Sequence, residues 1–444
     1  MQRFLVLTAF LVFHHLNGIH SQSVAQRLDQ LLQSSPLLQT SDAGIIVYDL
    51  ADERVVFEHQ ADHLYRPASV QKLLTSITAM SVLGPDYCMD TSWSLRGDTL
   101  VFKGGFDPFF TESDLDSLLL TIPQHRHVRA DVSMMDSVYW GKGWCWDDAP
   151  DSFQPYLSPL MLNGGCVGIE VSPTSADSLA FVRSYPFSPM YSIANHVVTR
   201  LGCRNDLRIT RNWMQQGNDI QVSGVVSKPQ TLSISIFPSD EFFMSVASHK
   251  LMWSCIDNNI TSRSIHRPIT DVVSKTLKES DNLGAEALFY HLASHQARCA
   301  HVGSSDGIEA INGFIRDTLR LDPSHYCVVD GCGLSNYNRV SARLILAFLR
   351  YAHAHIPDYA SYLPVAGVDG TLKNRMNSKN LRGKVLAKTG SMSGVSSLAG
   401  YLTTANKHTL AFVVLNQNVL SLQDARRFQD ELIRLLYGND NLKR

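Results

Sequence analysis

At the head of an apolar stretch free of glycine and proline, the chain reads Ser69-Val70-Gln71-Lys72. A spacing of three on a helix puts the hydroxyl and the amine on one face. There an unprotonated amine can take the hydroxyl proton and turn the serine into a nucleophile. The chemistry implied is covalent acyl transfer. S-x-x-K alone arises about once by chance in a chain of this size. Two more elements follow it in order: Ser280-Asp281-Asn282 between two helical patterns, and Lys388-Thr389-Gly390, then Ser391, at the end of a strand pattern. A fixed tripeptide occurs by chance in only about one chain in 20 at this length, so the ordered triple argues against coincidence.

Elements able to position these residues are legible in the apolar periodicity. Residues 68–83 repeat apolar side chains at three and four directly after Pro67, which predicts a buried helix. Helices are also expected over 24–32, 270–278, 283–297 and 341–353. A hairpin is expected from 44–50 and 54–57 around a turn at Ala51-Asp52. The C-terminal part reads as three strands and a helix, at 382–388, 397–403, 409–415 and 422–436. Short connections favour antiparallel neighbours. A place for the N-terminal hairpin in that sheet would bring both chain ends into one domain. Between Pro85 and Ile265 short β-like runs alternate with turn residues, and all six tryptophans fall there. This predicts an inserted strand-rich lobe over 85–265 within a domain built from 22–84 and 266–444.

Composition narrows the function classes. The 444 residues are 44% hydrophobic and 18% charged, which is globular rather than disordered. The formal charge of -2 gives no basic field for nucleic acid. Arg3 followed by the apolar run from Phe4 to Phe13 reads as an export signal over 1–21. It is too short for a helix of roughly 20 residues to cross a bilayer. An exported, soluble protein with no later membrane segment is the expectation. The eight cysteines contain no C-x-x-C pair and read mainly as small buried hydrophobes, with room for a bridge or two. His291 and His295, four apart on a helix, lack the H-E-x-x-H glutamate and read as packing or surface residues. Ser378-Lys379-Asn380 reads as a loop, and Arg426 and Arg427 as a solvated helix face.

S-x-x-K, S-x-N and K-T-G in this order resemble the penicillin-recognising serine acyltransferases. Gly104-Gly105-Phe106-Asp107-Pro108, Trp144-Cys145-Trp146-Asp147-Asp148, Asp330-Gly331-Cys332-Gly333-Leu334-Ser335 and Gly400-Tyr401-Leu402 resemble one branch. That branch is the periplasmic D-alanyl-D-alanine carboxypeptidase/endopeptidase family of the penicillin-binding protein 4 type, which has a large insertion between the first two motifs. The likeness runs from about Val24 to Leu436. It departs at Cys332, where the family more often has serine, and at Asn336, where an arginine is usual.

The resemblance implies an α+β fold: a penicillin-binding, β-lactamase-like transpeptidase domain, its antiparallel sheet flanked by helices, with an inserted strand-rich domain. It implies hydrolysis of the D-Ala-D-Ala bond of peptidoglycan stem peptides, as carboxypeptidase and also as cross-link endopeptidase, with β-lactams as covalent inhibitors. No cofactor or metal is implied. Ser69 would be the nucleophile and Lys72 its base, kept neutral by burial and by the charge of Lys388. Ser280 would relay the proton to the leaving amine, and Asn282 would bond the substrate backbone. Lys388 and Thr389 would hold the terminal carboxylate, and Gly390 would let substrate approach the strand edge. The N–H groups of Ser69 and Ser391 would form the oxyanion hole. Asp148, with Asp147, would contact a free amine on the stem side chain. Two other readings share the triple: a β-lactamase, and a non-catalytic penicillin-sensing or wall-binding protein. The first needs a fast deacylating base and much closer first motifs. Losing catalysis would remove nucleophile or base first, and both are present.

Overall fold

A computed structural model of the chain describes residues 23–120, 122–252, 260–297 and 301–438. The expected export signal over 1–21, Trp253, Cys255 and Cys299 lie outside the described residues.

Both ends of the chain build one antiparallel sheet, in the order Val385–Met392, Val395–Thr403, Thr409–Gln417, Asp42–Asp49, Arg54–His59. Asp42 stands opposite Gln417 and Asp49 opposite Leu410, so the N-terminal hairpin does join the C-terminal strands. Alternation of side chains in Thr409–Gln417 explains how the sheet is covered on both faces. Ala411, Val413 and Leu415 meet the helices Gln71–Val82, Ile269–Glu279, Asn282–Ala297 and Ala342–His355. Leu410, Phe412 and Val414 meet the terminal helices Val24–Ser34 and Leu422–Tyr437.

The expected strand over 382–388 forms later, as Val385–Met392, because Gly383 takes a left-handed turn at φ 74° that ends the preceding loop. The K-T-G tripeptide and Ser391 therefore lie inside the strand rather than at its end. This is the edge strand of the sheet; its outer side is bridged to 364–366 only at its start, through Val385 and Ala387, and past Lys388 it has no strand partner among the described residues. The helix expected over 68–83 opens with a 3-10 turn, Ala68–Val70, and becomes regular at Gln71.

The strands between Cys88 and Pro268 make one sheet of four and two of three. A separate hydrophobic cluster, drawn from Trp93 to Leu251, fills this part. Two helices that the sequence pattern did not suggest, Glu112–Leu119 and Ser239–Leu251, share it. Residue 265 falls inside the strand Ser262–Pro268, which pairs with Cys88–Arg96, so the chain leaves and returns on adjacent strands. Arg267 clamps this base by bonding both Asp107 oxygens at 3.1 and 3.2 Å and Asp114 at 2.9 Å. In Gly104-Gly105-Phe106-Asp107-Pro108 the aspartate thus has a structural partner.

Of the described cysteines, Cys166 and Cys332 are buried, Cys145 is intermediate, and Cys88, Cys203 and Cys327 are exposed, all as free thiols. Burial as small hydrophobes therefore accounts for only two of them. Among the described residues no helix is long and apolar enough to cross a membrane.

Candidate active site

Ser69 stands in the 3-10 turn that precedes the buried helix, so Lys72 follows it in the first regular turn. Ala68 before it has φ 47°, a left-handed conformation that costs an L-residue roughly 1–2 kcal/mol. Two glycines allow the backbone to be crowded here. A Cβ on Gly333 would sit 2.0 Å from the Ala68 carbonyl oxygen. One on Gly390 would sit 2.7 Å from the Pro67 oxygen and 3.1 Å from the Ser69 nitrogen. Gly390 thus lets the K-T-G strand press against the serine turn itself, a closer role than the expected one toward substrate.

Lys72 is fully buried, and its Nζ has three neighbours: Ser69 Oγ at 2.9 Å, Asn282 Oδ1 at 2.6 Å and the Cys332 carbonyl at 2.7 Å. Burial holds its ammonium below the ordinary lysine value, with Cys332, Asp330, Asp281 and Glu286 opposing. The repulsion expected between the two lysines falls chiefly on Lys388. Lys388 is itself the more strongly depressed, by burial and by the charge of Lys72.

Ser280, Asp281 and Asn282 form the joint between two helices. Ser280 closes Ile269–Glu279 in a left-handed conformation at φ 63°. Asp281 Oδ1 accepts the Gly284 N–H at 2.7 Å and so caps Asn282–Ala297. This tight joint aims Ser280 and Asn282 at different lysines. Lys388 Nζ donates to Ser280 Oγ at 2.8 Å and to the Thr389 carbonyl at 2.7 Å. Asn282 Nδ2 donates outward to the Phe153 carbonyl at 2.8 Å.

Ser69 and Ser280 open into a cavity of about 480 Å³ that Thr389, Ser391, Arg375 and Arg426 also line. Lys388 is fully buried and does not reach it. Arg426, read from sequence as part of a solvated face, is exposed and also lines the cavity, with Nη2 3.3 Å from Ser391 Oγ. No local signal in the sequence singles it out, because only the packing of the last helix on the sheet brings it there. Arg427 is likewise exposed and is paired with Asp424.

Beneath Lys72 the segment 330–335 is ordered by two buried carboxyls. Asp330 accepts from the N–H groups of Gly333 and Ser335, from Asn338 Nδ2 and from Trp144 Nε1, all within 2.9 Å. Glu286 accepts from the N–H groups of Gly331 and Cys332 at 2.9 and 2.8 Å. Burial and Asp330 push its carboxyl up to about 8. Trp144 thereby ties the inserted segment to the loop that holds Lys72. Asp148 follows on the short turn Trp146–Asp148, partly exposed, its carboxyl raised by burial and by Asp147 and Asp151. It does not line the Ser69 cavity. His291 is buried with Nδ1 2.9 Å from the Tyr87 hydroxyl, and Ser378-Lys379-Asn380 is an exposed turn.

A serine–lysine pair on a helix head, a Ser-x-Asn joint and a K-T-G edge strand around one cavity define a serine acyl-transfer enzyme. Residues 24–437 match the D-Ala-D-Ala carboxypeptidase 3 (S13) family, and the chain belongs to it. It is a serine-type D-Ala-D-Ala peptidase of α+β fold. It is 25% identical over 429 residues to the D-alanyl-D-alanine carboxypeptidase DacB of Haemophilus influenzae, covering 87% of each chain. With the D-alanyl-D-alanine carboxypeptidase of an Actinomadura species it shares 26% over 464 residues, covering 92% of this chain and 84% of that one. Among solved structures, penicillin binding protein 4 of Haemophilus influenzae superposes with a TM-score of 0.78 at 23% identity, covering 93% of this chain and 99% of that one.

Proposed function

We propose that Ser69 attacks the carbonyl carbon of the D-Ala-D-Ala bond and that Lys72 takes its proton. The observation that carries this is the environment of Lys72 Nζ. Two of its three neighbours, Asn282 Oδ1 and the Cys332 carbonyl, can only accept hydrogen bonds. A neutral amine has two N–H groups for those two, which leaves its lone pair toward Ser69 Oγ, 2.9 Å away. Acylation then forms the Ser69 ester and expels D-alanine, and Ser280, oriented by Lys388, passes a proton to the leaving amine. Water cleaves the ester and returns the serine. The oxyanion lies between the N–H groups of Ser69 and Ser391. Asn282 Nδ2 exchanges the Phe153 carbonyl for a substrate carbonyl. Thr389 and Ser391 face the terminal carboxylate, while Lys388 acts from below through Ser280. Asp148 meets the amine of the stem side chain.

The substrate in this reading is the peptidoglycan stem peptide, trimmed at its end and also cut at cross-links. β-Lactams acylate Ser69, in keeping with the β-lactam complex solved for the Haemophilus influenzae protein. Such a substrate places the enzyme in the periplasm, which agrees with the export signal expected over 1–21. The segment over 85–265 walls a second cavity of about 450 Å³ with Phe109 and Phe153, which Ser280 and Asn282 also line, and in this reading that cavity takes the stem peptide's side chain.

Incubation with a reporter-labelled penicillin and peptide mapping by mass spectrometry tests the assignment. The expected adduct is on Ser69, persists for minutes and is absent from Ser69→Ala, which also fails to release D-alanine from stem peptides. Label on another residue would refute the nucleophile. Hydrolysis of penicillin in seconds would favour a β-lactamase, and no label at all a binding protein.

A further inference from the structure

A peptide that ends in a free carboxylate brings a negative charge into the cavity beside Ser69, and the wall has to answer it. Neither lysine of the motifs is placed to do so. Lys72 is fully buried and faces Ser69, Asn282 and the Cys332 carbonyl. Lys388 is fully buried too, and donates to Ser280 and its neighbouring carbonyl. Two arginines reach the cavity. Arg375 is already balanced: its Nη2 donates to Asp430 at 2.6 Å and to Gln429 at 3.1 Å. It also bonds the Arg426 carbonyl at 3.3 Å, which pins the second turn of the last helix.

Arg426 differs on each count. Its side chain is exposed and, among the described residues, no carboxylate lies against it in an ion pair. Its Nη2 stands 3.3 Å from Ser391 Oγ. Ser391 is two residues beyond Thr389, so the two hydroxyls share one face of the edge strand, and both line the cavity. Ser391 Oγ accepts from Arg426 and keeps its own proton for a ligand, and the Thr389 hydroxyl, which donates to Thr371 Oγ1 at 2.8 Å, can turn to one. Beside a planar, permanently charged guanidinium they are complementary to a carboxylate, which guanidinium binds in bidentate fashion.

We infer that Arg426 is the cation that selects substrates with a free C-terminal carboxylate, acting together with the hydroxyls of Thr389 and Ser391. The inference rests on the reading that Ser69 is the nucleophile of this cavity. It makes the last helix part of the substrate site and gives the strand hydroxyls a charged partner that the motifs alone do not supply.

The test compares two N-acylated L-Lys-D-Ala-D-Ala peptides, one ending in the carboxylate and one in the carboxamide. The wild-type enzyme is expected to prefer the carboxylate. Arg426→Gln should raise KM and lower kcat/KM on the carboxylate peptide roughly 10- to 100-fold, the scale of a lost charge-assisted hydrogen bond. Its kcat/KM on the carboxamide should stay within about twofold of wild type, so that the preference collapses. Arg426→Lys should recover part of it, and Arg427→Gln should behave as wild type. Equal losses on both peptides, a preference that survives Arg426→Gln, or a wild type indifferent to the end group would each overturn the inference. Ser69→Ala separates the two readings: hydrolysis that survives that change refutes the nucleophile, whatever Arg426 does.

Discussion

Two buried ionisable groups at the site are tuned in opposite directions by the same cause. Burial disfavours charge, so it lowers the Lys72 ammonium and raises the Glu286 carboxyl to about 8. In the proposed mechanism acylation needs neutral Lys72. Its rate should therefore rise with pH through a lysine value lowered below the ordinary one, then level off, as read from penicillin acylation rates across a pH series. Lys72→Ala should slow acylation roughly 100- to 10,000-fold on the high-pH plateau, with the gap narrowing as pH falls. For Glu286 the folded value lies above the unfolded one, so its contribution to stability is complete below about 4.5 and is lost as pH rises through about 8. The melting temperature should fall between pH 5 and pH 9. In Glu286→Gln, which keeps an acceptor for the Gly331 and Cys332 N–H groups, that fall should flatten. An identical decline in both proteins would mean that Glu286 is not the group responsible.

At the scale of elements, the site depends on backbone contact between the edge strand and the serine turn. Gly390 lets the strand pass with the Pro67 oxygen 2.7 Å from where a Cβ would be. Gly390→Ala has to push the strand away from Ser69, and a displacement of about 1 Å can cost roughly 100-fold in rate. Penicillin acylation should drop by about that factor, while far-UV circular dichroism stays unchanged. A variant that acylates normally would show that the contact is not needed.

Across the whole molecule, Trp144 is one of the contacts that join the segment 85–265 to the rest of the chain. Its Nε1 bonds Asp330, and Asp330 orders the loop whose Cys332 carbonyl holds Lys72. Trp144→Phe keeps most of the ring packing but leaves a buried carboxylate oxygen short of a donor, at a cost of about 1–3 kcal/mol. A lower melting temperature together with slower acylation is expected. If only stability falls, the loop holds Lys72 without help from the inserted part.

The sequence alone determined the elements whose information is local. The catalytic helix shows in the apolar periodicity of residues 68–83, the C-terminal strands and helix in their runs and turns, and Ser69 and Lys72 in a spacing that one helical turn converts into contact. The resemblance of the three motifs carried the α+β fold and the D-Ala-D-Ala chemistry. Tertiary structure alone decided the partners. Whether a lysine faces substrate or the interior depends on which segments bury it, and Lys388 turned inward to Ser280 while Arg426 turned toward the cavity. The helices Glu112–Leu119 and Ser239–Leu251 stayed hidden because their short apolar faces fit a core of strands from distant parts of the chain. Burial, and the charge shifts that follow from it, belongs to the assembled molecule because every neighbour contributes to it.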